Sequence, residues 1–169
     1  MKITSPDYKN GWLDNYIGEV TYTDLIQGLK EEFSKTKTYI ESLSEKKLNF
    51  RYAEGKWMMK EIAGHLCETE RVFSYRALAF ARKDKTVLPG YDEQLYAQTT
   101  NASRRTIADL LNEWSDVRRA TISLFNSFEP EMLDEKGNAN NTVMTPRALG
   151  FAILGHEIHH LRIFRERYF

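Results

Sequence analysis

The spacing of hydrophobic residues along the chain predicts four long helices. Apolar side chains recur at intervals of about three, four and seven residues, the pattern of a helix that buries one face. Thr23 or Asp24 is expected to cap the first helix, and Thr145 with Pro146 marks the start of the last. The four helices are expected at about 22–43, 57–82, 103–128 and 145–167.

The segments between these helices are polar and contain helix-breaking residues. Pro89 and Gly90 in "LPGYDEQ" predict a turn, and "EPEMLDEKGNANNT" is expected to be a long connection with one short helical turn. No strong alternation of apolar and polar residues predicts a strand. The pattern therefore favours an all-α fold, a four-helix bundle with long inter-helix connections, as a single domain over residues 1–169. An antiparallel arrangement is favoured, while the long links leave the connectivity open.

Composition narrows the classes of protein to which the chain can belong. Lys and Arg together number 24, as do Asp and Glu, so no broad charge favours nucleic acid or an anionic membrane as a partner. The hydrophobic content of 41% is that of a folded domain. The single cysteine, Cys67, excludes an internal disulfide framework. With no secretory leader or apolar run of about 18 residues, a cytoplasmic location is expected.

The four histidines are confined to two of the predicted helices. At about 100° per residue, His156 and His160 lie within about 40° of each other on the apolar face of the last helix, whereas His159 points aside. His65 lies on the apolar face of the second helix. Buried imidazoles need hydrogen-bond partners or a metal ion, and the i, i+4 spacing allows two of them to bind one ion. The spacing alone leaves both interpretations open.

Three stretches of the sequence carry a family resemblance. "FRYAEGKWMMKEIAGHLCETERVFSYRALAFARKD", "LPGYDE" and "TPRALGFAILGHEIHHLRIFRERYF" resemble, in content and order, the DinB/YfiT-like family of metal-dependent enzymes. The resemblance implies a four-helix bundle with one divalent transition metal ion per chain, either zinc, nickel, manganese or iron. The implied ligands are His65, His156 and His160, and His159 is implied to be a hydrogen-bonding or packing residue.

The resemblance also implies a function, in two catalytic forms. The chain is expected to be a hydrolase or a thiol-dependent transferase acting on a small molecule, the latter with a low-molecular-weight thiol as a partner. The alternative is a non-catalytic, metal-containing stress or binding protein. Members of the family are often dimers, so a homodimer is possible, with Phe33 and Tyr39 as candidate interface residues. Catalytic residues are not identified beyond water or a thiol at the metal.

Two neighbours of His65 on its own helix are candidates for the surroundings of the metal. Glu61 and Thr69 lie one turn on either side of His65, where each could bond an imidazole or water on the metal. The alternative for Glu61 is an interaction with the positive end of its helix, and for Thr69 the filling of a small space in the interior.

Three further residues have competing explanations. Arg76 either serves an anionic substrate or pairs with a carboxylate across the bundle. Glu157 is better explained by a solvated or interhelical ion pair than by a role at the metal. Tyr91, in the "LPGYDE" loop, is placed by hypothesis at the mouth of the site.

Overall fold

Four long helices form the body of the protein in a computed structural model, which describes residues 7–9 and 11–168, with Lys9 described by its backbone alone. These helices are α2 (Leu25–Glu41), α4 (Met59–Ala81), α6 (Ile107–Asn126) and α8 (Pro146–Arg167). Shorter helices lie between them: α1 (Asp14–Ile17), α3 (Glu45–Leu48), α5 (Glu93–Thr99) and α7 (Pro130–Leu133). The predicted all-α four-helix bundle is confirmed.

Side-chain caps fix where three of the long helices begin. Asp24 accepts a hydrogen bond from the backbone N–H of Gln27 at 2.8 Å, and Thr145 accepts one from Ala148 at 3.1 Å. Both were expected as caps. The third long helix begins at Ile107, because Thr106 caps it, and residues 102–104 form a separate 3-10 turn. The predicted start near residue 103 was therefore a few residues early.

The order of the helices around the bundle differs from that of a simple up-and-down bundle. α4 packs against α6 and α8, and α2 packs against the same two helices, so α2 and α4 are diagonal. The neighbours α4 and α6 run in the same direction, since Glu70 contacts Trp114 and Ser74 contacts Thr121. The sequence had favoured antiparallel neighbours, and for this pair that expectation was wrong.

Parallel neighbours explain the long connections. The second parallel pair is α2 and α8, in which Gly28 lies against Leu154 and Tyr39 lies under the guanidinium of Arg165. Because α6 runs parallel to α4, the chain that leaves the end of α4 must return over the length of that helix, about 34 Å, before α6 can begin. Residues 82–106, which include α5, make this return.

The interior of the bundle contains a polar layer between two apolar clusters. One cluster includes Leu25, Phe80 and Phe151, and the other includes Ile40, Met59 and Phe164. The residues between them on each long helix are polar and buried: Glu32 and Thr36, His65, Thr69 and Glu70, Arg118 and Thr121, and His156 and Glu157. Every candidate for chemistry inside the bundle lies in this layer or beside it.

A small antiparallel sheet closes one end of the fold. Its strands are β1 (Tyr8–Lys9), β2 (Gly137–Ala139) and β3 (Thr142–Met144), in the order β1-β3-β2. The long connection before the last helix was expected to hold one helical turn and no strand. It contains that turn, α7, but also this hairpin. Asn140 and Asn141 form its two-residue turn with φ values of 51° and 58°, a left-handed conformation that asparagine tolerates.

Two expectations from the sequence, a cytoplasmic location and a homodimer, concern the apolar character of the helices and of their exposed faces. Among the described residues, no helix combines the length and apolar character needed to cross a membrane. Phe33, a candidate for a dimer interface, is half-buried, with its ring centroid 5.0 Å from that of Trp114. Tyr39 is also half-buried. The cytoplasmic location and the dimer stay predictions.

Candidate metal centre

Three histidine side chains from two helices converge in the polar layer. His65 Nε2 lies 3.1 Å from His156 Nε2, which lies 3.0 Å from His160 Nε2. The potential ligand atoms of all three lie within 4.8 Å of one another. The helical phase predicted that these three side chains point inward, and in the structure they lie together.

The arrangement of the rings does not suit ordinary hydrogen bonds among all three histidines. The planes of each pair of rings meet at 75° to 84°. A neutral imidazole nitrogen offers either one hydrogen or one lone pair in the ring plane, so His156 Nε2 cannot make good hydrogen bonds to both of its neighbours. A cation between the three nitrogens satisfies all of them at once.

The spacing of the nitrogens matches a metal ion. Zinc-to-imidazole distances of about 2.0–2.1 Å place two ligand nitrogens about 2.9–3.4 Å apart, for angles from a right angle to tetrahedral. The separations of 3.0 and 3.1 Å fall in that range. Among the described residues, only these three form a group of His, Cys, Asp or Glu with this geometry. The three histidines therefore fit a divalent transition metal and leave coordination positions for other ligands.

Close packing against α8 fixes the position of its first histidine. A Cβ atom on Gly155 would lie 2.2 Å from the carbonyl oxygen of Tyr16, so only glycine permits α1 to lie this close. The Tyr16 ring then packs edge-on against His156, with centroids 5.0 Å apart. On the other side of the cluster, the ring centroid of Trp57 lies 4.9 Å from that of His65.

Burial keeps the cluster in the protonation state that binds metal. Burial lowers the pKa of His65 to about 4. The pKa values of His156 and His160 are also lowered well below their usual value, first by burial and then by the neighbouring histidines. All three imidazoles are therefore neutral at neutral pH, with lone pairs available for an ion.

A chain of hydroxyl groups leads away from His65. Its Nδ1 lies 3.4 Å from the hydroxyl oxygen of Thr69, which lies 2.6 Å from the hydroxyl oxygen of Tyr91. Burial raises the pKa of Tyr91 to about 12, so its phenol remains protonated. The structure thus places Thr69 beside a potential ligand and Tyr91 at the site. By contrast, no hydrogen-bond partner for the buried Nδ1 of His160 is found among the described residues.

Glu61, the other candidate neighbour of His65, interacts with the start of its own helix instead. Its carboxylate accepts a hydrogen bond from the backbone N–H of Met58 at 2.7 Å and pairs with Arg51 at 2.8 Å. These contacts correspond to the helix-terminus alternative. The suggestion that Glu61 bonds an imidazole or water on the metal does not match them.

His159 lies outside the cluster, as its helical phase indicated. Its Nδ1 is 2.9 Å from the carboxylate of Glu19 and 3.2 Å from the guanidinium of Arg162. Arg162 also pairs with Glu19 at 3.0 Å. His159 therefore ties α8 to the segment that follows α1.

A cavity of about 250 Å³ opens onto the cluster and is lined in part by His65 and His156. Its walls include Trp12, Tyr16, Phe73, Arg76, Tyr91 and Asn140. The sequence had suggested Arg76 and Tyr91 but not the other four. Trp12 and Asn140 come from non-helical segments, where helical phase gives no signal, and their positions depend on the sheet. Trp12 Nε1, for example, donates to the hydroxyl of Thr142 in β3 at 3.0 Å.

A second cavity reaches the cluster at a different histidine. It has a volume of about 190 Å³ and is lined by His160 together with Tyr52, Lys56, Trp57, Gln94 and Tyr168. His160 does not line the first cavity, and His65 and His156 do not line the second. Two separate cavities therefore adjoin the histidine cluster.

A fully enclosed ion network lies beside the histidines in the same layer. Arg118 donates to both carboxylate oxygens of Glu70, at 2.8 and 2.9 Å, and to Glu157 at 2.8 Å. It also donates to the carbonyl of Leu29 at 2.7 Å, while Trp114 Nε1 donates to Glu70 at 2.8 Å. Burial raises the pKa of Glu157, and the charge of Arg118 opposes this shift. Glu157 thus forms the interhelical ion pair that the sequence favoured, whereas Glu70 and Arg118 were missed.

Comparisons with known proteins agree with this architecture. The structure is similar to that of YfiT from Bacillus subtilis, which is described as "a probable metal-dependent hydrolase with an unusual four-helix bundle topology". The TM-score is 0.72 and the sequence identity is 16%, and the match covers 90% of this chain and 97% of that chain. At this identity the likeness establishes the fold alone. No match to the sequence was found among curated proteins. The sequence model of the DinB superfamily matches residues 29–164, which include all three clustered histidines. The chain belongs to the DinB superfamily.

Proposed function

We propose that this protein is a metal-dependent hydrolase of a small molecule, with one divalent transition metal ion held by His65, His156 and His160. The convergence of the three Nε2 atoms, with separations of 3.0 and 3.1 Å, carries the proposal. The similarity to a protein described as a probable metal-dependent hydrolase supports it.

The donor set favours a catalytic site over a purely structural one. Three neutral imidazoles leave at least one position open, whereas structural zinc sites are usually closed by four protein ligands. Such a metal, when bound, supplies a Lewis acid and lowers the pKa of a coordinated water. The cavity of about 250 Å³ beside His65 and His156 provides space for a substrate.

The hydroxyl chain provides a hydrogen-bond donor inside that cavity. When His65 uses Nε2 for the metal, its Nδ1 carries a hydrogen and donates to Thr69. The Thr69 hydroxyl can then donate to Tyr91, which leaves the Tyr91 O–H free to point at a substrate. Because the pKa of Tyr91 is raised to about 12, this group acts as a donor at neutral pH.

The second cavity favours one alternative reaction, a thiol-dependent transfer. A transferase needs room for two reactants, and the space of about 190 Å³ at His160 offers a second approach to the same cluster. A low-molecular-weight thiol entering there would be the nucleophile in place of water. The remaining alternative is a metal-containing stress or binding protein without turnover.

One panel of assays separates these functions. The protein is loaded with zinc, nickel, manganese or iron and tested against small esters, amides and alkyl electrophiles, with and without an added low-molecular-weight thiol. Hydrolysis that needs the metal and not the thiol is the expected result. Turnover only with the thiol would favour the transferase, and no metal-dependent turnover would favour the binding protein. His160→Ala should abolish any true activity, whereas His159→Ala should retain it.

A further inference from the structure

We infer that Arg76 forms an anion-binding subsite in the cavity beside His65 and His156, and that the small-molecule substrate carries a carboxylate or phosphate group held there. The inference names the substrate class of the proposed hydrolase and to that extent rests on that function. The binding of an anion at Arg76 does not itself require a metal.

The guanidinium of Arg76 is buried without a carboxylate partner among the described residues. Arg76 as a whole residue is 3% exposed, as is Arg118. Arg118 is surrounded by two carboxylates, but Arg76 makes one hydrogen bond, to the carbonyl oxygen of Pro89 at 2.8 Å, and packs over the ring of Phe73 at 5.7 Å. Burial lowers the pKa of Arg76, consistent with the lack of an anionic neighbour.

An unpaired buried charge of this kind is costly unless something compensates it. Taking a guanidinium out of water without an anion carries a large desolvation penalty. Its planar fork has five N–H donors and matches the two oxygens of a carboxylate or phosphate. Since Arg76 lines the cavity, an oxyanion entering that space is the missing partner.

The distance between Arg76 and the histidines sets the size of the ligand. Arg76 follows His65 by three turns of α4 and lies on nearly the same face, about 16 Å further along the helix axis. Long helical side chains lean toward the helix N-terminus, so the guanidinium itself lies closer to the cluster than this. The anionic group and the bond that reacts are thus separated by several bonds, and the apolar rings of Trp12, Tyr16 and Phe73 line the same cavity.

Two other features of the cavity affect this interpretation. The contact with Pro89 shows that Arg76 also holds the loop before α5, which is a structural role. Glu93 lines the same cavity, is exposed, and its charge opposes the binding of an anion. A test must therefore separate the loss of an anion site from the displacement of the loop.

The subsite is tested by anion titration of the metal-free protein. With chelator present at pH 7.5 and constant ionic strength, acetate and inorganic phosphate are titrated separately while the Arg76 Nε–Hε resonance is followed by NMR. Saturable binding in the millimolar range is expected for at least one of the two, and the stronger identifies carboxylate or phosphate. Arg76→Gln should weaken binding about tenfold or more. Arg82→Gln, at the residue that follows the last residue of α4, is the control and should bind as the unmodified protein does.

Glu93→Gln provides an independent arm that leaves Arg76 and its loop contact intact. Removing the opposing charge should tighten anion binding about two- to threefold. Lack of saturable binding in the unmodified protein, or equal binding by Arg76→Gln, would overturn the subsite. If Arg76→Gln does not fold, two measurements still test the subsite: the shift of the Arg76 resonance in the unmodified protein and the anion affinity of Glu93→Gln. If the protein binds anions but shows no metal-dependent turnover, only the proposed hydrolase is contradicted. If it shows turnover but does not bind anions, only the subsite is contradicted.

Discussion

Two polar clusters share the middle layer of the bundle, and they differ in what their buried groups contact. Arg118 joins Glu70 of α4, Glu157 of α8 and the Leu29 carbonyl of α2 to its own helix, α6, so that all four long helices meet at one guanidinium. The histidine cluster joins only α4 and α8. Its Nε2 atoms converge on a point where no hydrogen-bonding pattern satisfies all three.

The difference separates residues that hold the fold together from residues that are available for chemistry. Arg118, Glu70 and Glu157 are at most 3% exposed, whereas the histidines of the cluster line two cavities. His156 and Glu157 are consecutive residues of α8 but belong to different clusters, because their side chains point about 100° apart around that helix. Buried polar groups thus occur here in two forms: a closed network that orients the helices and an open one that can take a ligand.

Replacing Arg118 should produce the largest loss of stability. Arg118→Met leaves Glu70 and Glu157 buried without a counter-charge, and we expect the free energy of unfolding to fall by about 3–5 kcal/mol. The measurement is urea unfolding of the metal-free protein. Arg105→Met removes a partly exposed arginine that pairs with Asp109 and Glu113, and should cost less than about 1 kcal/mol. Equal losses in the two variants would contradict the structural role of the network.

Acidification should destabilise the metal-free protein through the histidine cluster. The folded-state pKa of His65 is lowered to about 4 from an ordinary value of 6.5, so the unfolded chain binds protons first as the pH falls. Stability is complete above about pH 6.5 and is lost progressively down to about pH 4, with His65 contributing up to about 3 kcal/mol. Urea unfolding in chelator at pH 7 and pH 5 measures the loss. His65→Gln, which cannot titrate, should show a smaller loss, and an unchanged pH dependence would contradict the assigned burial.

Removing the hydroxyl beside His65 should weaken metal binding without abolishing it. Thr69→Val keeps the shape of the side chain but removes the acceptor for His65 Nδ1, and we expect metal affinity to fall about tenfold. Tyr91→Phe retains that acceptor and should change metal affinity much less. Competition with a chromogenic chelator measures both. Equal effects of the two substitutions would indicate that the hydroxyl chain does not orient His65.

Regular helical repeats made the fold and the histidine cluster predictable from sequence. The inward phase of His65, His156 and His160 follows from about 3.6 residues per turn and needs no knowledge of distant contacts. The family resemblance supplied the same three residues. By contrast, the direction of α6 relative to α4 depends on the length of a connection and on the packing of α5, which periodicity does not report.

The residues that sequence reasoning missed depend on contacts between distant segments. Glu70 and Arg118 are both charged residues within amphipathic helices, and only their mutual position makes them a buried pair. Trp12, Tyr16 and Asn140 reach the cavity from short or irregular elements. The one local signal that was available was the Asn140-Asn141 pair, which is typical of a two-residue hairpin turn.

The central claim, that three of the four histidines hold one metal ion, is tested most directly by metal stoichiometry. Protein purified without an affinity tag is loaded with zinc, dialysed and measured by elemental analysis. Close to one equivalent per chain is expected for the unmodified protein and for His159→Ala, with near-complete loss in His65→Ala, His156→Ala and His160→Ala. Retention of one equivalent by any of the last three, or its loss in His159→Ala alone, would contradict the account.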